Sequence, residues 1–209
     1  VMGANDGIIS IAGIVIGVAA ATSNARSILI AGLSGTLAGM ISMCMGEYVS
    51  VSTQKDSQKM ALISEKQRLQ NQYQHEFDYV QKKYEAQDID SQLAKQATKE
   101  LMEKDALGTA VQERYGFNPN EFTSPYAAAI ASFISFPTGS ILPMVAVTVS
   151  PANVRILATA IAVLIALLIT GYFAAVLGKS NRIKSMIRNA AAGLLTMGVT
   201  YLIGQLFAR

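Results

Sequence analysis

Tryptophan is missing from this 209-residue sequence, and cysteine and histidine occur once each. The single thiol, Cys44, excludes an internal disulfide; set in an apolar run, it reads as a small packing residue. Without tryptophan, any aromatic belt at a membrane interface falls to Tyr and Phe. The sequence also lacks a Ser/His/Asp set, a phosphate-binding loop and a cysteine cluster, so no enzyme chemistry is expected. Most telling is where charge is missing. Residues 8–24, 27–46, 122–154, 156–178 and 189–208 carry none.

A hydrocarbon core of ~30 Å takes roughly 20 apolar residues in a helix. The five uncharged runs therefore predict five membrane spans, in keeping with a 51% hydrophobic composition and a mean hydropathy of +0.34. The first run has no basic flank and is preceded by Asp6, which argues against a cleavable signal peptide. Because the chain opens at Val1 almost inside that span, a trimmed natural N-terminus is expected.

Basic residues orient the spans. Ten Lys and Arg lie between Lys55 and Arg114, and Lys179, Arg182, Lys184 and Arg188 fill the short loop before the last span. With five spans these two segments share a side, and the positive-inside rule makes that side cytosolic. The turns at 23–27 and 150–153 and the C-terminus then lie on the far side. The net charge of +3 comes mostly from these loops and gives no case for nucleic-acid binding. The expected architecture is an all-α membrane protein. Transmembrane helices one and two occupy 1–52, a cytosolic three-helix insertion 53–124, and transmembrane helices three to five 125–209.

The insertion opens with a run from Gln54 to about Ala86 that has no Gly or Pro and is rich in helix formers. Leu62, Leu69, Tyr73, Phe77, Val80 and Tyr84 recur at steps of three, four and seven, which predicts one apolar stripe. Span two should thus continue as one long helix. Asp90 or Ser91 can cap a second helix running to Lys104, and Asp105 a third ending at Gly116. The stripe implies packing among these helices together with pairing to another subunit. In the spans, Gly13/Gly17 and Gly35/Gly39 have the spacing that lets helix backbones approach. Pro137 and Pro143 flank Gly139 in span three; such residues free backbone carbonyls, either beside a translocation path or at a packing kink.

Of fourteen acidic residues, twelve lie between Asp56 and Glu121, leaving Asp6 and Glu47 alone beside apolar runs. A carboxylate in a span costs several kcal/mol unless paired, protonated or metal-bound, so both are candidate functional groups. Met40, Met43 and Glu47 follow i, i+3, i+7 and share a helical face. The carboxylate supplies charge to a divalent cation, and the thioether favours transition metals over Mg²⁺ or Ca²⁺. If Asp6 faces the same cavity, two neighbouring carboxylates raise each other's proton affinity, and arrival of a metal releases protons. The alternatives are a surface turn at Asn5-Asp6-Gly7 and an interfacial position with its head in water for Glu47.

Asn5-Asp6-Gly7, Ala38-Gly39-Met40-Ile41-Ser42-Met43 and Gly46-Glu47-Tyr48-Val49-Ser50-Val51 closely resemble the vacuolar iron transporter family. The likeness extends to the polar insertion and to the Gly139–Pro143 spacing, and covers essentially the whole chain. It implies five transmembrane helices with a helical cytosolic metal-binding domain, a homodimer, and proton-coupled export of Fe²⁺, often also Mn²⁺, from the cytosol. No prosthetic group is implied; the ions are cargo, and the other partners are protons and the lipid bilayer. By resemblance Asp6 and Met43 match an aspartate and a methionine of the translocation path. Gly35 stands where plant members have a further glutamate, and Glu47 fits the pattern of microbial members. In the insertion Glu65 and Glu76 match metal-binding glutamates. Ala110 and Val111 replace paired methionines, and Arg114 takes a glutamate position with Glu113 beside it. These departures imply that the insertion keeps its fold while its metal capture is weakened or lost. His75 adjoins Glu76 as a possible ligand or a solvated side chain.

The expected metal ligands are therefore Asp6, Met43, Glu47, Glu65, Glu76 and Glu113. The microbial pattern and short loops point to a bacterial plasma membrane, with a vacuolar membrane as the alternative. Two other functions fit the same fold: a non-transporting sensor or interaction platform, and a transporter of another substrate.

Overall fold

The computed structural model describes residues 2–208, among which every regular element is a helix. In order they are α1 (Met2–Ala21), α2 (Ala25–Glu85), α3 (Ser91–Tyr115), α4 (Pro125–Val149), α5 (Arg155–Leu177) and α6 (Arg182–Leu206). Five of them, all but α3, are long and apolar enough to cross a membrane. The expectation of a trimmed start at Val1, and the placement of Arg209, lie outside the described residues.

Polar side chains set several helix starts by taking up otherwise orphaned backbone N–H groups. Asn24 Oδ1 accepts from Arg26 N at 2.9 Å, and Asp90 Oδ1 from Gln92 N at 2.9 Å. Asn181 Oδ1 accepts from Lys184 N at 3.0 Å. At the end of α3, Gly116 adopts the left-handed conformation (φ 74°) and returns its N–H to Gln112 O, as a glycine C-cap does.

The chain divides into two compact units, one made of the segments Val1–Tyr48 and Tyr126–Arg209, the other of Val49–Pro125. In the first, α1 is the central helix. One face carries Ile8, Ala12 and Ile16 against Val163 and Leu167 of α5 and Met197 of α6. Its opposite face carries Ile11 and Val15 against Ile28 of α2 and Phe136 and Val147 of α4. Both glycine pairs noted in the sequence serve this packing within the chain. A Cβ on Gly13 would lie 2.9 Å from Thr196 Cγ2, and one on Gly17 3.1 Å from the Thr200 carbonyl oxygen. A Cβ on Gly35 would lie 2.6 Å from Ile14 Cδ1, and Gly39 sits under the Phe136 ring. Helix α4 runs on through Pro137 and Pro143. Each proline withholds an N–H, so the Phe133 and Gly139 carbonyls lose their usual helical donor.

In the unit Val49–Pro125, the rest of α2 runs beside α3. Helix α2 has one non-helical residue, Gln72 (φ −144°, ψ 47°), which a run free of Gly and Pro did not foretell. The break disrupts the expected stripe. Val80 is buried and Leu62, Leu69, Phe77 and Tyr84 are half-buried, but Tyr73, next to the break, is exposed. The expected second and third helices run on as the single element α3, broken at Asp105 (φ −155°, ψ 88°). There Asp105 Oδ1 accepts from Gly108 N at 2.8 Å, acting as a cap with no intervening turn.

Candidate functional site

The candidate ligands fall into two groups, one in each unit. In the first unit, residues 5–7 are helical, so Asn5-Asp6-Gly7 is the second turn of α1 and not a surface turn. Asn5 Oδ1 accepts from Thr170 Oγ1 of α5 at 3.1 Å, which fixes this end of α1. Asp6 is exposed in the single chain, and its Oδ1 accepts from Ser10 Oγ at 3.3 Å. None of the ion pairs among the described residues involves Asp6 or Glu47.

Met43 reaches this end of α1. Its side chain packs against the cluster of Ile11, Val15 and Phe136, and its methyl lies 3.4 Å from where a Cβ on Gly3 would stand. Gly3 is one helical turn before Asp6 and Gly7. Two further glycines bring α4 to the same place: a Cβ on Gly7 would collide with the Phe136 carbonyl oxygen, and one on Gly139 with that of Ala4. Small residues thus bring a thioether, a helix end with a carboxylate and a proline-interrupted helix together. Glu47 follows one turn after Met43 and is half-buried. Between α2 and α4 there is also an open groove of about 580 Å³. Leu33, Met40, Phe133, Pro137 and Met144 line it, so it is a mainly apolar recess and holds none of the candidate carboxylates.

The second group is tighter. Glu65 and Glu76 are fully buried, and both meet Arg114 of α3. Arg114 Nε lies 3.2 Å from Glu65 Oε2, and Arg114 Nη2 donates to Glu76 Oε2. The guanidinium carbon lies 3.8 Å from the centroid of the Tyr79 ring, a cation–π stack. His75 Nδ1 is 3.3 Å from Glu76 Oε1. Eleven residues of unbroken helix would set the Cα atoms of Glu65 and Glu76 about 16 Å apart. The break at Gln72 lies between them, and the two carboxylates converge on one guanidinium.

Glu113 is engaged elsewhere: its Oε1 accepts from Tyr84 OH at 3.0 Å, and its Oε2 lies 3.7 Å from Lys83 Nζ. Burial and the bond to Glu113 push the Tyr84 hydroxyl up to about 12. Among the described residues no three His, Cys, Asp or Glu side chains form a group able to hold a metal. The part played by Tyr79 was not foreseen. An aromatic three residues after a glutamate carries no sequence signal of its own, and its partner is 35 positions away.

Two buried carboxylates sharing one cation titrate in opposite directions. Burial pushes Glu65 up, and Glu76 beside it adds to this against the pull of Arg114. For Glu76 burial acts the same way but is outweighed by hydrogen bonds from Arg114, Glu65 and His75, so its carboxyl is held down. A raised carboxyl contributes stability below the ordinary carboxylate range and loses it as pH climbs through its own value. A lowered one contributes above that range and loses it as pH falls. Replacing Glu65 by glutamine fixes the neutral form. Wild type should therefore lose stability relative to Glu65→Gln as pH rises from acid to neutral. Unfolding midpoints in detergent at several pH values check this, and a constant gap would contradict it.

Comparison with known proteins places these features in a family. A family model described as the VIT family matches residues 1–205. A vacuolar iron transporter of Acanthamoeba castellanii is 32% identical over 207 residues, covering 99% of this chain and 76% of that protein. Vacuolar iron transporter homolog 1 of Oryza sativa subsp. japonica is 33% identical over 208 residues, 99% of this chain and 72% of its own length. Vacuolar iron transporter homolog 3 of Arabidopsis thaliana is 32% identical over 202 residues, 96% and 78% of the two chains. With five apolar helices of spanning length and a match along nearly its whole length, the chain belongs to the VIT family of membrane transporters, which are not enzymes.

Proposed function

We propose that the chain carries divalent transition metal, Fe²⁺ and also Mn²⁺, out of the cytosol in exchange for protons, with Asp6, Met43 and Glu47 on the path. The observation that carries this reading is the position of Met43, whose thioether methyl rests against the first turn of α1, one turn from Asp6. A soft sulfur beside a carboxylate selects for transition metals over Mg²⁺ or Ca²⁺. Near-complete alignment with proteins named vacuolar iron transporter supports the same cargo. Metal binding at a protonated carboxylate displaces its proton, which is the simplest route to exchange.

The reading extends to topology and assembly. The basic content of 49–125 and of the loop 179–188 supports a cytosolic position for both under the positive-inside rule. A homodimer is part of the same proposal, as is a bacterial plasma membrane, with a vacuolar membrane as the alternative. The transported ion is cargo and no prosthetic group is involved.

Proteoliposomes loaded with a metal-sensitive dye test the proposal. Wild type should show Fe²⁺ or Mn²⁺ influx that a proton gradient modulates. Asp6→Asn and Met43→Ala should each lower the flux by about tenfold or more, the scale of a lost metal contact. Equal flux in the variants would remove those residues from the path, and no flux with any metal would favour an interaction platform.

A further inference from the structure

Glu65 and Glu76 are the only acidic side chains buried among the described residues. Two carboxylates in one low-dielectric spot, when both are ionised, need a cation, and either a metal ion or a basic side chain can serve. The two carboxylates there are donors of a kind that Mn²⁺, Fe²⁺ and Zn²⁺ accept. Arg114 already fills the place. Its Nε is 3.2 Å from Glu65, its Nη2 donates to Glu76, and its guanidinium is stacked on Tyr79. That stack suits a planar, delocalised cation, whereas the ring face offers a metal ion no donor atom.

Glu65 adds a second observation. Both its carboxylate oxygens are buried, and neither receives a well-directed hydrogen bond from the described residues, despite the nearness of Arg114 Nε. Arg114 reaches it by charge, and the Glu76 carboxyl is its other close polar neighbour, so no N–H donor saturates it.

We propose that Arg114 is a tethered counter-ion: it occupies, at Glu65 and Glu76, the place a divalent cation would take, holds α2 to α3 without metal, and denies the pair to metal. Arg114 thereby decides whether this unit responds to metal at all, and removing it uncovers a divalent-cation site. The inference concerns residues 49–125 and is independent of transport by the membrane-spanning unit.

Mn²⁺ binding to the full chain in detergent, followed by calorimetry and by the electron-spin signal of free Mn²⁺, is the test. Wild type and Glu65→Gln, which keeps the Glu76–Arg114 pair, should bind Mn²⁺ identically. Arg114→Met should gain one site, at least about tenfold tighter than any binding in wild type that depends on Glu65. Mn²⁺ should raise the unfolding midpoint of that variant, and adding Glu65→Gln to it should abolish the gain. Recovery of Arg114→Met only when Mn²⁺ is present during purification would support the proposal equally. A well-folded Arg114→Met that gains no site would overturn it. So would a wild-type Mn²⁺ site that disappears in Glu65→Gln, and this comparison needs no Arg114 variant to fold.

Discussion

Arg114→Met is expected to destabilise the unit Val49–Pro125 by about 3–5 kcal/mol, the cost of leaving a buried charge without its partner. The size follows from the environment. Glu65 and Glu76 are 0% and 1% exposed, so little solvent reaches them while the guanidinium is in place. Methionine removes the charge together with the bond to Glu76 and the stack on Tyr79, so the expected loss includes all three. Changing Glu65 and Glu76 to glutamine in the same protein should recover most of it, because an uncharged set costs little to bury compared with an unpaired ion. Denaturant unfolding in detergent, followed by helical ellipticity at fixed low metal, measures both effects. A loss below about 1 kcal/mol would place the cluster with exposed ion pairs, which contribute little.

Gly139→Leu is expected to destabilise the membrane-spanning unit by more than the roughly 1–3 kcal/mol of ordinary overpacking and to abolish flux. The obstacle is backbone. Beyond the Ala4 carbonyl oxygen, a Cβ on Gly139 would meet the Ala4 carbonyl carbon at 2.7 Å and its Cα at 2.9 Å. On the other side, a Cβ on Gly7 would lie 3.1 Å from the Phe136 carbonyl carbon and 3.2 Å from Ser140 N. No side chain can rotate out of the way, so α1 and α4 must separate at the end that carries Asp6 and receives Met43. Gly198→Ala is the matched control, since a Cβ there meets nothing within 4 Å. It should leave stability unchanged or improve it by up to about 1 kcal/mol through helix propensity. Size-exclusion profile, unfolding midpoint and proteoliposome flux distinguish the two variants.

How much of this was legible in the sequence depended on the range of the interaction. The five apolar helices follow from hydropathy over windows of roughly 20 residues, and they appear where the uncharged runs lie. Asp90 is likewise a local signal, and it caps α3 as its position implied. The break at Gln72 was not legible, because the run around it has no Gly or Pro to mark a stop. Nor was the burial of Glu65 and Glu76. On a polar helix they read as solvent-facing or metal-facing acids. Their depth depends on Arg114, 38 residues beyond Glu76, and on Tyr79 stacked against it. Met43 was identified from spacing and resemblance, but its contact with the start of α1 depends on Gly3 and Gly7, whose role is clear only when α4 is in place.

The central position of α1 also bears on how the chain is made. Its buried face of Ile8, Ala12 and Ile16 is covered by Val163, Leu167 and Met197, which belong to α5 and α6, far along the sequence from it. A nascent chain that ends before α5 therefore holds α1 with one flank uncovered, and this packing waits for α5 and α6. The unit Val49–Pro125 is contiguous and contains Arg114, Glu65 and Glu76 together. Since domains fold as units during synthesis, this middle segment is able to mature before α5 and α6 arrive to cover α1.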